Sequence, residues 1–153
     1  MRILMVCLGN ICRSPMAQGV MEHLVACEQL QWTVDSAGTN GYHDGEAPDP
    51  RAIRATQFRG IHIESQVSRK ISSSDLDDFD IILAMDRSNL SYLLSMCKSE
   101  QQAKKIRLLM EFAHLGLSDQ VPDPYYDNRF DLALDLIESA CKGFVNEYRP
   151  NKT

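Results

Sequence analysis

The stretch Ile3-Leu-Met-Val-Cys-Leu-Gly-Asn-Ile-Cys-Arg-Ser-Pro15 sets a short apolar run directly against a turn dense in reactive and polar side chains. Ile3 to Val6 reads as a buried strand, closed by Gly9-Asn10. Ser14 and Pro15 read as a helix N-cap and first helical residue. Met16, Ala17, Val20, Met21, Leu24 and Val25 then recur on one helical face. Met1 to Val6 is apolar apart from Arg2, yet too short for a secretory core segment or a membrane span.

Outward from this stretch the same alternation repeats. Trp32 to Val34 reads as a second strand, ended by Ser36-Ala-Gly-Thr39, and Pro48-Asp-Pro50 opens a helix through Phe58. Ile81 to Met85 is a third strand, after which Asp86 begins a helix carrying Leu90, Leu93, Leu94 and Cys97. Ile106 to Met110 makes a fourth strand and residues 111–128 a long polar loop. Phe130, Ala133, Leu134, Ile137, Cys141, Phe144 and Tyr148 mark a final helix. Short apolar strands alternating with helical stretches indicate an α/β fold, a four-stranded parallel sheet flanked by helices. The acidic stretch Ser72 to Asp80 reads as a solvated turn and helix start without a functional part. With no repeat, low-complexity tract or linker, residues 1–153 read as one domain.

Composition narrows the function. Hydrophobic residues at 44% and charged residues at 24% are ordinary for a globular domain. A net charge of -5 and the lack of any Lys/Arg run exclude a nucleic-acid binder, while leaving room for local capture of one small anion. The five cysteines, at 7, 12, 27, 97 and 141, lack the paired spacing of a zinc site and read as free thiols in a reducing, cytoplasmic compartment. His23, His43, His62 and His114 have no metal-ligand spacing, so no metal or other cofactor is expected, and His43 draws interest only as the neighbour of Tyr42.

The turn after the first strand carries the chemistry. In open α/β sheets, ligands gather at the carboxyl ends of strands, and helix N-termini favour phosphate. Cys7 ends the strand, Gly9 lets the backbone curl, Asn10 tolerates left-handed geometry, and the N–H groups of residues 8–13 can converge on an anion. The Arg13 fork suits two phosphate oxygens at once. A helix N-terminus and a guanidinium both favour the thiolate, so Cys7 reads as a nucleophile beneath phosphorus, with the loop stabilising the equatorial oxygens. With five cysteines and ten arginines in 153 residues, a bare Cys-x5-Arg arises by chance about 0.3 times. The context gives it weight: the preceding strand, Gly and Asn within, Ser-Pro after, and a downstream acid. Asp123, stiffened by Pro122 and Pro124, is by itself a turn residue before proline, though a carboxylic acid of this kind eases expulsion of an oxygen by supplying a proton. Tyr125 and Tyr126 suit the walls of a pocket for an aromatic ring.

Cys7-Leu-Gly-Asn-Ile-Cys-Arg-Ser-Pro15 resembles the signature of the low-molecular-weight protein tyrosine phosphatase family. Asp35-Ser-Ala-Gly-Thr39, Pro48-Asp-Pro-Arg51, Leu83-Ala-Met-Asp86 and Val121-Pro-Asp-Pro-Tyr-Tyr-Asp127 extend the likeness in order along nearly the whole chain. The resemblance implies a three-layer, phosphotyrosine phosphatase I-like fold and metal-independent hydrolysis of phosphotyrosine-containing proteins. Cys7 would form a phosphocysteine, Arg13 would clamp phosphate, and Asp123 would protonate the phenolate and then activate water. Leu8, Gly9, Asn10, Ile11, Cys12 and Ser14 would line the phosphate site, with Ser14 donating to the thiolate. Asn10 and Ser36 would brace the loop, and Tyr42 would supply an opposite aromatic wall. Cys12 would act as a redox partner that captures oxidised Cys7 as a disulfide.

Two rival activities belong to the same fold. An arsenate reductase would need further paired cysteines around residues 80–92, where this chain has none. A protein-arginine phosphatase typically carries Thr after the loop Asn, where Ile11 stands here. A phosphate-binding module without catalysis would have lost Cys7 or Asp123, and both are present.

Overall fold

The computed structural model describes residues 1–114 and 118–151. Its frame is a parallel sheet in the order β2-β1-β3-β4, built from β1 (Arg2–Cys7), β2 (Thr33–Gly38), β3 (Ile81–Ala84) and β4 (Ile106–Leu108). The helices are α1 (Arg13–Cys27), α2 (Pro50–Gln57), α3 (Asp75–Asp78), α4 (Arg87–Met96), α5 (Glu100–Lys104), α6 (Pro124–Asp127) and α7 (Phe130–Tyr148). Alternation along the central strand divides the core. Ile3, Met5 and Cys7 face a layer containing α1, α2 and α7, whereas Leu4 and Val6 face Leu76 of α3 and Leu93 of α4. The chain is thus the expected three-layer α/β fold, and β1 has no solvated face because apolar residues follow one another without a polar gap.

From β1 the chain passes to β2 on one side, and β3 lies on the other. That reversal opens a crevice at the carboxyl ends of β1 and β3. Cys7 is the last residue of β1, and Asp86 stands two residues beyond β3. Gly38 closes β2 against the crevice: a Cβ there would lie 2.9 Å from the Leu8 carbonyl oxygen, so only glycine lets the strands meet the turn this closely.

Several boundaries differ from the sequence reading. Ser14 does not cap α1; the helix starts at Arg13 behind Cys12, with no side-chain cap bond, because the Ser14 hydroxyl is turned toward Cys7 and Asn10. The second strand is displaced and longer than Trp32 to Val34, since polar Asp35 and Ser36 find partners in Arg69 and Gln18. The third and fourth strands stop at Ala84 and Leu108, and a 3-10 turn follows β4 over Leu109–Phe112. Leu94 is exposed, and α5, which has no buried residue and hence no apolar period, was not expected. The loop expected at 111–128 contains the end of the 3-10 turn and all of α6; its residues 115–117 lie outside the described residues. As expected, helices open at Pro48-Asp-Pro50 and at Asp86; Asp49 and Asp86 are the N-caps of α2 and α4, the latter in a capping box with Asn89. Among the described residues no helix is long and apolar enough to cross a membrane.

The acidic stretch 72–80 is only partly solvated. Asp77 and Asp78 are exposed, but Leu76 and Phe79 are buried and Asp75 is 6% exposed. The Asp75 carboxylate accepts from both terminal nitrogens of Arg69, at 2.9 and 3.2 Å, and from the Ser72 N–H at 2.8 Å. Arg69 in turn reaches Asp35 at 3.0 Å, joining α3 to β2. Burial alone would raise the Asp75 pKa; the bonds from Arg69 and Ser72 outweigh it and hold the group below the ordinary aspartate value. A depressed folded-state pKa adds stability that is complete above the unfolded value and is lost as pH falls through the folded one. Asp75→Asn is therefore expected to lower stability at neutral pH by about 1.5–3 kcal/mol. Thermal melts of the variant should also lose part of the wild-type decline below about pH 4; parallel pH curves for the two proteins would contradict this.

Candidate active site

The turn from Cys7 to Arg13 is held from behind by one amide. Asn10 has φ 57°, in the left-handed region, and its side chain is 2% exposed. Its Nδ2 donates to Ser14 Oγ at 2.8 Å and to Ser36 Oγ at 3.0 Å, while its Oδ1 accepts from the Arg69 N–H at 3.0 Å. The backbone donor at Arg69 fixes which way the amide points. Ser36 passes its own proton to Gln18 Oε1 at 2.7 Å. Ser14 Oγ, already accepting from Asn10, has its hydroxyl proton to give, with Cys7 Sγ at 3.0 Å the nearer partner and the Ala37 carbonyl at 3.5 Å the farther. The Asn10 N–H also points at this sulfur, at 3.3 Å.

The front of the turn faces a pocket of about 250 Å³. Among the described residues, no protein acceptor takes the N–H groups of Leu8, Gly9, Ile11, Cys12 or Arg13, which leaves them for an anion. The chain just beyond β2 and the cap of α2 pin the turn in place: Thr39 N–H donates to the Cys7 carbonyl at 2.9 Å, Asn40 N–H to that of Leu8 at 3.0 Å, and Asp49 N–H to that of Ile11 at 2.8 Å.

Arg13 is 3% exposed and needs compensation for its charge. Its Nη1 donates to Asp86 Oδ2 at 2.7 Å and to the Val121 carbonyl at 2.9 Å; its Nη2 lies 3.4 Å from Asp123 Oδ2. Burial works against the guanidinium charge, and Cys7, Asp86 and Asp123 together outweigh it, holding the Arg13 pKa above its ordinary value. With Nη1 committed to protein, the Nε–Nη2 edge of the fork is the one left for two phosphate oxygens. Asp123 caps α6, accepting from the Tyr125 N–H at 3.1 Å, and Val121 N–H anchors the same loop to the Met85 carbonyl at 2.8 Å. For Cys12 the desolvation of burial comes first, followed by repulsion from Asp49, Cys7 and Asp123; together they push its pKa well above the ordinary thiol range.

Of the residues singled out in the sequence, Cys7, Leu8, Gly9, Ile11, Cys12, Arg13, Tyr42, Asp123, Tyr125 and Tyr126 line the pocket. Asn10, Ser14 and Ser36 do not; their side chains stand behind the turn. Tyr42 and Tyr126 are 87% and 74% exposed, so they form a rim above a floor where Cys7 is 3% exposed. The sequence reading missed Asn40 on the wall and Asp86 beside Arg13. Asp86 was read only as the start of a helix, and it does cap α4 through its other oxygen. His43, also on the wall, packs against Gly9 and bonds Glu46 at 2.6 Å. All five cysteines are free thiols.

A family model for low molecular weight phosphotyrosine protein phosphatases matches residues 2–153. The chain belongs to the low molecular weight phosphotyrosine protein phosphatase family. It is accordingly an enzyme of the protein-tyrosine phosphatase class, a hydrolase. A Schizosaccharomyces pombe member of the family is 43% identical over 143 residues, covering 90% of each chain. A structure of a protein tyrosine phosphatase from Entamoeba histolytica, described as a product state mimic, superposes with a TM-score of 0.92. It is 39% identical and covers 100% of this chain and 98% of its own. DARP, a Drosophila arginine phosphatase, superposes equally well at 0.92 with 35% identity, covering 99% of this chain and 100% of its own.

Within this family member the bracing of Asn10 can be separated from its backbone. Asn10→Gly keeps the left-handed geometry and loses three side-chain bonds, whereas Asn10→Ala adds about 1–2 kcal/mol of backbone strain. Kinetics on an aryl phosphate should fall by about tenfold or more for the glycine variant, consistent with bonds of roughly 0.5–1.5 kcal/mol each. The alanine variant should fall further. Full activity in Asn10→Gly would mean that the side-chain bonds do not matter to the reaction.

Proposed function

We propose that this chain hydrolyses phosphotyrosine in proteins through a phosphocysteine at Cys7, as one catalytic domain of residues 1–153 working in the cytoplasm without metal or cofactor. The observation that carries this reading is the convergence of three groups on one pocket: the Cys7 sulfur beneath the open N–H groups, the Arg13 fork, and Asp123 3.4 Å from that fork. In the first step Cys7 Sγ bonds to phosphorus, the phosphorus–oxygen ester bond breaks, and Asp123 delivers a proton to the departing phenolate. In the second, Asp123 takes a proton from water as the water oxygen attacks phosphorus and the sulfur–phosphorus bond breaks. Arg13 and the amides of residues 8–13 balance the charge on the equatorial oxygens. The Ser14 hydroxyl steadies the sulfur both as nucleophile and as leaving group. Depth favours an aryl ester: a flat ring can pass between Tyr42, Tyr125 and Tyr126 to a phosphate on the floor.

A second reading, protein-arginine phosphatase, draws support from the likeness to the Drosophila arginine phosphatase. Ile11 and the aromatic rim favour phosphotyrosine. Competition between phosphotyrosine and phosphoarginine peptides decides between them, and a higher kcat/KM on phosphoarginine would overturn the preferred reading.

Hydrolysis of an aryl phosphate should persist in EDTA, be inhibited by vanadate and vanish in Cys7→Ser. Asp123→Ala should lose about 10²–10⁴ in rate on phosphotyrosine; a loss under about threefold would assign the acid role elsewhere.

Cys12 lies in the same turn, 4% exposed on the pocket wall. As a redox guard it would use peroxide as oxidant: peroxide converts the Cys7 thiolate to a sulfenic acid, and the Cys12 thiol condenses with it, releasing water and leaving a disulfide. Cys12→Ser should then recover less activity on thiol treatment after peroxide exposure. Unchanged recovery would remove Cys12 from this role.

A further inference from the structure

A chain of contacts on the far side of the pocket links the acid-bearing loop to the phosphate-binding turn, and its centre is Arg51. The Arg51 Nε and Nη2 donate to the two oxygens of Asp49, at 3.1 and 2.8 Å. Asp49 in turn gives its N–H to the Ile11 carbonyl of the phosphate-binding turn. The other edge of the guanidinium faces the loop after Asp123. Nη1 and Nη2 both approach the Tyr125 carbonyl at 3.4 Å, and Nη1 donates to Asn128 Oδ1. The guanidinium carbon also lies 5.5 Å from the Tyr125 ring centroid and 4.9 Å from that of Phe130.

These partners bracket a difficult piece of backbone. Helix α6 is a single turn that cannot hold itself together by its own hydrogen bonds, and it ends at Asn128, with φ 61° in the left-handed region. Arg51 fastens this turn at both ends at once, through the carbonyl of Tyr125 and the side chain of Asn128. The Tyr125 N–H, one peptide plane away, orients the Asp123 carboxylate. Arg51 itself does not line the pocket.

We infer that Arg51 is a positioning residue for proton delivery: its fork sets how the Asp123 loop sits over the phosphate-binding turn. The inference rests on Asp123 being the general acid. An ammonium group could neutralise Asp49 but could not hold its carboxylate, the Tyr125 carbonyl and Asn128 together in one plane.

The test reads how much each variant depends on the leaving group. kcat/KM reports transfer to Cys7, and the need for an acid grows as the leaving phenol becomes a weaker acid. Arg51→Met and Arg51→Lys are compared with Asp123→Asn on 4-nitrophenyl phosphate, whose phenol leaves readily, and on phenyl phosphate. Inhibition by inorganic phosphate serves as the check that the binding turn is intact. Arg51→Met should lose kcat/KM several-fold more on phenyl than on nitrophenyl phosphate, a fraction of the ~10²–10⁴ available from an acid. Its phosphate inhibition constant should stay within about twofold, and Arg51→Lys should show the same trend, since charge alone does not restore the geometry. Equal losses on both substrates, or no loss, while Asp123→Asn is leaving-group dependent, would overturn the positioning role alone. A flat response in Asp123→Asn would instead overturn the acid assignment and this inference with it.

Discussion

The left-handed Asn10 backbone is the conformation from which the rest of the site follows. A non-glycine residue adopts it only when its surroundings repay the strain, and here the side-chain amide does so through both of its protons, given to Ser14 and Ser36, and its oxygen, which accepts from the Arg69 backbone. Those partners come from α1, from β2 and from the segment that runs beside the end of β2, where Arg69 accepts from Gly38. The shape of the turn is therefore set by how the sheet and first helix pack, and the buried strands act as its template. Ser14 shows the economy of the arrangement. Its hydroxyl leaves the capping role to reach sulfur, and α1 begins without a side-chain cap, its first amides open toward the pocket.

Charge is handled in the same local way. The chain is acidic overall, yet it buries Arg13 to within 3% of full enclosure, and that cation is compensated by Cys7, Asp86 and Asp123 rather than by distant charges. Two of these groups, Cys7 and Asp123, weigh together with Asp49 on Cys12, whose burial already disfavours its ionised form. Two thiols in one tight turn thus have different neighbours. The Cys7 sulfur lies beside the Ser14 hydroxyl and the Asn10 N–H, while Cys12 has Asp49 and Asp123 acting on it.

Much of this was legible in the sequence because periodicity and a contiguous motif report on contiguous structure. β1, the α1 face, the helix starts at Pro48-Asp-Pro50 and Asp86, and the turn from Cys7 to Arg13 are all local, and each was readable from the sequence. Several of the misreadings share one cause: a polar side chain bonded to a partner that its spacing does not announce. Ser14 and Ser36 look like a cap and a strand terminator until Asn10 is seen between them. Asp75 looks solvated until Arg69 arrives. Asp86 looks only like a helix start because one oxygen does serve α4 while the other holds Arg13 across 73 residues. Helix α5, with nothing buried, leaves no period to read.

The separation of the two halves of the pocket gives these long-range bonds their weight. The sulfur and the amides belong to the β1–α1 turn, which the sheet holds directly. The carboxylate of Asp123 belongs to a loop more than a hundred residues away in sequence. The proposed proton transfer requires the two to agree within a few tenths of an ångström, because donor and acceptor would have to meet at hydrogen-bond distance as the ester bond breaks. Backbone pairing brings the loop only as far as Val121, which bonds to Met85 at the end of β3 and offers its carbonyl to Arg13. Beyond Val121 the chain turns on two prolines and a single helical turn, with no strand to set its height. Side-chain forks must supply what the sheet does not. Arg13 does this from inside the pocket, and Arg51 from outside it, so that the loop is gripped on both faces and the Asp123 carboxylate is set relative to the β1–α1 turn.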